Sequence, residues 1–210
     1  MKWVMSQRDD DELWSAVARG DADAFGLLFE RHSRSVYNYC FRRTGNWTGA
    51  EDLTSVVFLE CWRRRDVSLE GGKVLPWLLG IATNVCRNQR RSLARQRAAL
   101  RRLPERESTS EFADDILERL EDEARMRDVL SVVSRLPRRE QDVLALCLWA
   151  GLSYEDASTA LRIPVGTVRS RLSRARRRLR GELKEGAAGG RGRLALADVL
   201  AQQGAEHDAD

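Results

Sequence analysis

The chain has 210 residues, 42% of them hydrophobic and 32% charged, and 36 Lys and Arg against 32 Asp and Glu give a formal net charge of +4. That length suits one large domain or two small ones, with apolar material enough for cores beneath a heavily charged surface. Only four prolines are present, and the longest apolar run, Val143 to Leu152, has ten residues; collagen-like and proline-rich compositions are excluded, and a membrane span would need about 20.

Met1 to Glu12 has no apolar signal core, and Arg8 is followed at once by Asp9, Asp10, Asp11 and Glu12. This predicts a cytoplasmic protein without membrane insertion. The next segment carries Leu13, Val17, Phe25, Leu28 and Phe29 at helical spacing, interrupted near Gly20-Asp21, and Val36, Tyr39 and Cys40 extend the pattern to about Arg43. Gly45 to Gly49 is a turn cluster. Thr48 or Gly49 is expected to precede a helix opened by Glu51 and Asp52, whose charges suit the positive end of a helix dipole. That helix carries Leu53, Val56, Val57, Leu59, Cys61 and Trp62 and closes on Arg63-Arg64-Arg65. Asp66 to Val74 is expected to be a loop. Pro76 suits the first turn of a helix bearing Trp77, Leu78, Ile81, Ala82, Val85 and Cys86. Trp77, within Pro-Trp-Leu-Leu, is expected in the core rather than stacked on a ligand.

Past Cys86 the apolar stripe fades. Arg87 to Arg106 has a local charge of +7, Glu107 to Asp128 of −6, and Arg162 to Lys184 of +8. One such run is ordinarily a solvated helix face. Two basic blocks, each ending an apolar-periodic segment and separated by an acidic stretch, point to two contacts with a polyanion. Pro104 and Ser108-Thr109-Ser110 mark a linker, Ile116 to Val133 is helical, and Pro137 opens a unit with Leu136, Val143, Leu144, Cys147 and Leu148 on one face. Gly186 to Asp210 is expected to be largely disordered.

The most specific local signal is a helix-turn-helix. Ser153 can cap a helix with Asp156 three residues on, Ala157, Ala160 and Leu161 let two helices approach, Arg162-Ile163 turn, and Pro164 starts the second helix. Val165, Val168 and Leu172 then face inward, leaving Thr167, Arg169, Ser170, Ser173, Arg174 and Arg177 outward. Arginine can bond guanine O6 and N7 together, serine and threonine can bond base edges or phosphate, and Arg176, Arg178 and Arg180 would meet phosphates.

No catalytic chemistry emerges. The only histidines are His32 and His207, and Cys40, Cys61, Cys86 and Cys147 lack C-x-x-C pairing. No metal site, phosphate loop or nucleophile elbow is indicated, and the cysteines are expected to be reduced, buried thiols. No cofactor is expected.

Three further blocks carry a family likeness. Phe25 to Phe29 with Val36 to Tyr39, Ala50-Glu51-Asp52-Leu53 with Val57 to Trp62, and Pro76 to Asn84 with Arg87-Asn88 and Arg90-Arg91 precede the helix-turn-helix unit Leu136 to Leu179. In this order they resemble regions 2 and 4 of the extracytoplasmic-function (ECF) sigma factors of the sigma-70 family. The resemblance implies a non-enzymatic specificity subunit with an all-α fold: region 2 at 1–95, a flexible linker at 96–127, region 4 at 128–183 and a tail at 184–210. It implies docking on core RNA polymerase, at the β′ clamp helices through Glu51, Asp52, Leu53, Val56 and Glu60, and at the β flap. It implies promoter DNA as ligand, with Asn84, Arg87, Asn88 and Arg91 on the opened −10 strand and the six outward residues after Pro164 on the −35 element. An anti-sigma partner is implied in the same way. The rival reading is a helix-turn-helix regulator that works without docking as a polymerase subunit. It would need neither the Asp52 helix nor the Asn84 helix.

Overall fold

The structure, a computed structural model, describes residues 8–69, 71, 73–100 and 115–184. Among them eight α-helices form two bundles and no strand is present. The first bundle is α1 (Asp10–Ala18), α2 (Ala22–Thr44), α3 (Trp47–Arg63) and α4 (Val74–Leu100). The second is α5 (Asp115–Val133), α6 (Arg138–Leu144), α7 (Tyr154–Leu161) and α8 (Val165–Lys184).

Local chemistry sets the helix ends. Asp9 caps α1 by accepting from the Glu12 amide at 2.8 Å, and Asp21 caps α2 by accepting from the Asp23 and Ala24 amides. Such caps stabilise by ~1 kcal/mol each. Helix α2 ends at Gly45, whose φ of +66° is left-handed and natural to glycine. The cap of α3 differs from the expected Thr48 or Gly49: Asn46 accepts from the Gly49 amide, so the helix already begins at Trp47. Asparagine at a β-region φ outcompetes a threonine that can join the first turn. Helix α4 likewise starts at Val74, placing Pro76 inside its first turn and taking the end of the expected loop into the helix.

Helix α3 buries Ala50, Leu53, Thr54, Val57, Phe58 and Cys61, a stripe at the helical period. The stripe packs on Leu28, Val36, Tyr39 and Cys40 of α2 and on Leu78, Ala82 and Cys86 of α4. Trp77 is in the core, edge-on to Trp14 with ring centres 4.9 Å apart, while Trp14 Nε1 donates to the Val67 carbonyl at 2.9 Å. All four cysteines are free and buried.

In the second bundle Val132, Val133, Leu136, Leu144, Leu148, Val168, Leu172, Ala175 and Leu179 are buried in the core. Helix α6 passes into a π-helical turn at Ala145–Trp149, which the sequence did not announce. The expected boundaries at 95/96 and 127/128 both fall inside helices, α4 and α5. Residues 101–114 of the expected linker and 185–210 of the expected tail lie outside the described residues.

The bundles touch. Gly80 of α4 lies so close to α7 that a Cβ built on it would stand 2.5 Å from the Ala160 carbonyl oxygen. Lys73 pairs with Asp156 at 3.0 Å, and Glu123 of α5 accepts from the Trp47 amide at 2.8 Å, next to the Asn46 cap of α3.

Candidate nucleic-acid interface

Helices α7 and α8 form the helix-turn-helix. Ser153 Oγ accepts from the Asp156 amide at 3.0 Å, Arg162 takes the left-handed conformation at φ +53° to end α7, and the Pro164 carbonyl receives the Thr167 and Val168 amides. Val168, Leu172, Ala175 and Leu179 are buried, so their period aims the opposite face of α8 at solvent. Arg169, Ser170, Ser173, Arg174 and Arg177 are exposed on that face, and Thr167 is half-buried near its start. The Arg169 guanidinium lies 5.6 Å from the Tyr154 ring centre, which limits its rotamers. Beneath them Glu140 is buried, with carboxylate oxygens 3.9 Å from Arg174 Nε and 3.5 Å from Arg178 Nε.

The second set lies on α4. Asn84, Asn88 and Arg91 are exposed. Arg87, on the same face, turns toward the second bundle: its Nε and Nη2 donate to Asp142 Oδ2 at 3.1 and 2.5 Å, and its Nη1 donates to Asn84 Oδ1 at 3.2 Å. The structure therefore keeps Asn84 and Arg87 together and sets Arg87 apart from Arg91 in environment.

Sequence reasoning missed Arg43, Gln141 and Asp142. Arg43 Nη2 donates to Asp142 Oδ1 at 2.8 Å, with side chains only 6% and 2% exposed. Arg43 Nη1 donates to the Gln141 carbonyl at 3.1 Å, and Arg90 donates to Gln141 Oε1 at 2.8 Å. Arg42 donates to the Trp149 carbonyl at the end of the π turn. No sequence signal marked Asp142, which ends the polar run Arg138-Arg139-Glu140-Gln141 just before the apolar run from Val143; only its burial shows that it needs a partner.

The third set lies on α3. Glu51 and Asp52 are exposed, Val56 is 42% exposed, and Glu60 is held by Arg63 and Arg64 at 3.0 Å each. Those two guanidiniums hold the Glu60 carboxyl below its usual range. Leu53 is 6% exposed and belongs to the core stripe. The outward apolar positions are Val56, Leu59 and, from α2, Phe29, whose ring meets Phe58 at 4.7 Å.

Comparison with known proteins gives the family. The family model for sigma-70 region 2 matches residues 28–96, and that for sigma-70 region 4 matches residues 126–179. The RNA polymerase sigma-H factor of Pseudomonas aeruginosa is 32% identical over 185 residues, covering 82% of this chain and 93% of the relative. The ECF RNA polymerase sigma factor SigE of Mycolicibacterium smegmatis is 32% identical over 187 residues, covering 86% and 71%.

The chain belongs to the ECF sigma factors.

Sigma factors are transcription initiation factors rather than enzymes. The solved structure of CnrH in complex with the cytosolic domain of CnrY matches this sigma factor with a TM-score of 0.62 and 25% identity, over 84% of this chain and 99% of CnrH. The region 2 match spans all of α3 and most of α2 and α4, and the region 4 match holds α6, α7 and most of α8. Among the described residues of this sigma factor, no cluster of His, Cys, Asp or Glu could hold a metal ion, and no helix is long and apolar enough to cross a membrane.

Proposed function

We propose that this sigma factor docks on core RNA polymerase through α3, reads the −35 element with α8, and holds the opened −10 strand along α4. The observation that carries the reading is the pairing of a region 2 match with a helix-turn-helix whose outward face is almost wholly Arg, Ser and Thr.

Each surface has the chemistry its role requires. On α8, arginine forks suit guanine edges in the major groove, and Arg178 and Arg180 farther along suit phosphates. On α4, Asn84 and Asn88 can bond the edges of unstacked bases, while Arg87 and Arg91 can hold the strand's phosphates. On α3, Glu51, Asp52 and Glu60 beside Val56 and Leu59 fit a basic, partly apolar helix such as the β′ clamp offers; Leu53 contributes from within, by packing the helix. The β flap is the partner proposed for the second bundle.

Domain limits are proposed as region 2 up to about residue 95 and region 4 from about 128, and the cytoplasm as the site of action. CnrH was solved with the cytosolic domain of CnrY, and an anti-sigma factor is proposed as a partner of this chain. The test is reconstitution: the purified chain is mixed with bacterial core polymerase, separated by size, and used for run-off transcription on a genomic fragment library. Co-elution, with transcripts starting at sites that share a −35 and a −10 element, is expected. Sequence-specific duplex binding without co-elution would replace this reading with the free-standing regulator.

A further inference from the structure

We propose that Arg43, Arg87 and Arg90 form a phosphate cradle for the opened strand, and that Asp142 occupies this cradle and holds it shut in the free chain. The proposal rests on the reading of α4 as the helix that takes the −10 strand, and it adds the phosphate seat and its internal blocker.

The arginines converge from two helices, Arg43 from the end of α2 and Arg87 and Arg90 from α4. All three point their N–H groups at one short segment of α6. Asp142 supplies a planar anion with two acceptor oxygens, and the arginines treat it as they would a phosphate. Arg87 grips Oδ2 with Nε and Nη2, Arg43 grips Oδ1, and Arg90 closes on Gln141 alongside. Both carboxylate oxygens thus accept charge-assisted bonds from guanidinium groups, Oδ2 two from Arg87 and Oδ1 one from Arg43, and phosphate oxygens accept the same kind of bond. The carboxylate is therefore a stand-in ligand, presented by the other half of the molecule.

Burial makes the arrangement a closure rather than a surface pairing. The side chains of Asp142 and Arg43 are 2% and 6% exposed. Were the second bundle to leave, two guanidiniums would face solvent beside Arg90 without a counter-charge, a local field that favours a polyanion. Closure is also steric. The Ala160 backbone sits against Gly80, one turn before Asn84 on α4, in a gap that only a glycine permits. Lys73 and Asp156 pin the start of α4 to the start of α7. Meanwhile the outward residues of α8 stay exposed, so the closed chain offers its duplex-reading face and withholds part of its strand-reading face.

The test uses the full chain and a fluorescein-labelled twelve-nucleotide oligothymidylate, read by anisotropy over a salt series. Asp142→Asn removes the charge of the blocker. Gly80→Ala instead wedges α7 off α4 and leaves every arginine and Asp142 in place. Both variants are expected to bind the single strand about tenfold tighter, with a log–log salt slope about 1.4 units steeper, the value for two added phosphates. Arg43→Ala and Arg87→Ala together, added to either variant, should return binding to the wild-type level.

Circular dichroism checks that each variant is folded, and because the two variants act by unrelated means, a folding defect in one leaves the other to decide. Folded Gly80→Ala protein that binds no tighter would overturn the proposal. So would a gain that persists without Arg43 and Arg87. Promoter opening by holoenzyme carrying Arg87→Ala separates the two levels. Impaired opening together with unchanged strand binding in Gly80→Ala sinks the cradle and spares the −10 reading. Normal opening by Arg87→Ala removes that reading, and the proposal with it.

Discussion

The Tyr39 hydroxyl stands 2.7 Å from Thr83 Oγ1 in the centre of the first bundle, joining α2 to α4 where both side chains are almost fully buried. Thr83 Oγ1 also lies 2.8 Å from the Leu79 carbonyl, to which it donates, so it accepts from Tyr39. Burial pushes the Tyr39 phenol well above its usual range, keeping it a neutral donor at every physiological pH. Thr83→Val would leave that donor buried with no acceptor, at a cost of about 1–3 kcal/mol. Tyr39→Phe should cost less, and the double variant should be more stable than the two single effects added together predict. Urea unfolding of the four proteins checks this.

Arg174→Ala should lower transcription from promoters with an intact −35 element and flatten discrimination against mutated ones. The loss expected for one base reader is about 1–3 kcal/mol at a single position. Competitive run-off on paired templates measures it. Unchanged discrimination would remove Arg174 from the base-reading set and leave it a partner of buried Glu140.

Asp52→Arg combined with Val56→Glu and Leu59→Glu should abolish co-elution with core polymerase while leaving the helical circular dichroism intact, because all three side chains face solvent. Leu53 is the wrong position for such a test. It is 6% exposed, so Leu53→Ala would open a cavity and destabilise the bundle by about 2–5 kcal/mol. Loss of binding would then report loss of fold.

The buried thiols should be inert in the native protein. Burial pushes Cys61 and Cys147 up to about 12, so almost no thiolate exists near neutral pH. A disulfide reagent such as Ellman's is expected to titrate them only after denaturant is added. Rapid labelling of either in the folded state would contradict the packing described.

Much of this architecture was legible in the sequence because its signals are local. Ser153 caps the helix that follows it, Pro164 precedes α8, and the spacing of Val168 and Leu172 orients the recognition helix from chemistry within a few residues. Helix α3 resisted because it is apolar nearly all round. Leu53 and Leu59 are equally hydrophobic, and only packing against α2 and α4 sends one inward and the other outward. Asp142 resisted for a different reason. Its partner Arg43 is 99 residues away, and no periodicity reports a contact between two bundles. The π turn at Ala145–Trp149 had no sequence signature either, yet it lets the Trp149 carbonyl receive Arg42 from the other bundle.

Promoter opening tests the central claim most directly. On a promoter recovered by run-off, permanganate reactivity of the −10 thymines is followed with core polymerase alone, with core plus this chain, and with core plus Asn84→Ala/Arg87→Ala protein. The account predicts reactive thymines only when the wild-type chain is present, and a strongly reduced signal with the double variant. Closed duplex in the presence of wild-type chain that occupies the −35 element would contradict it.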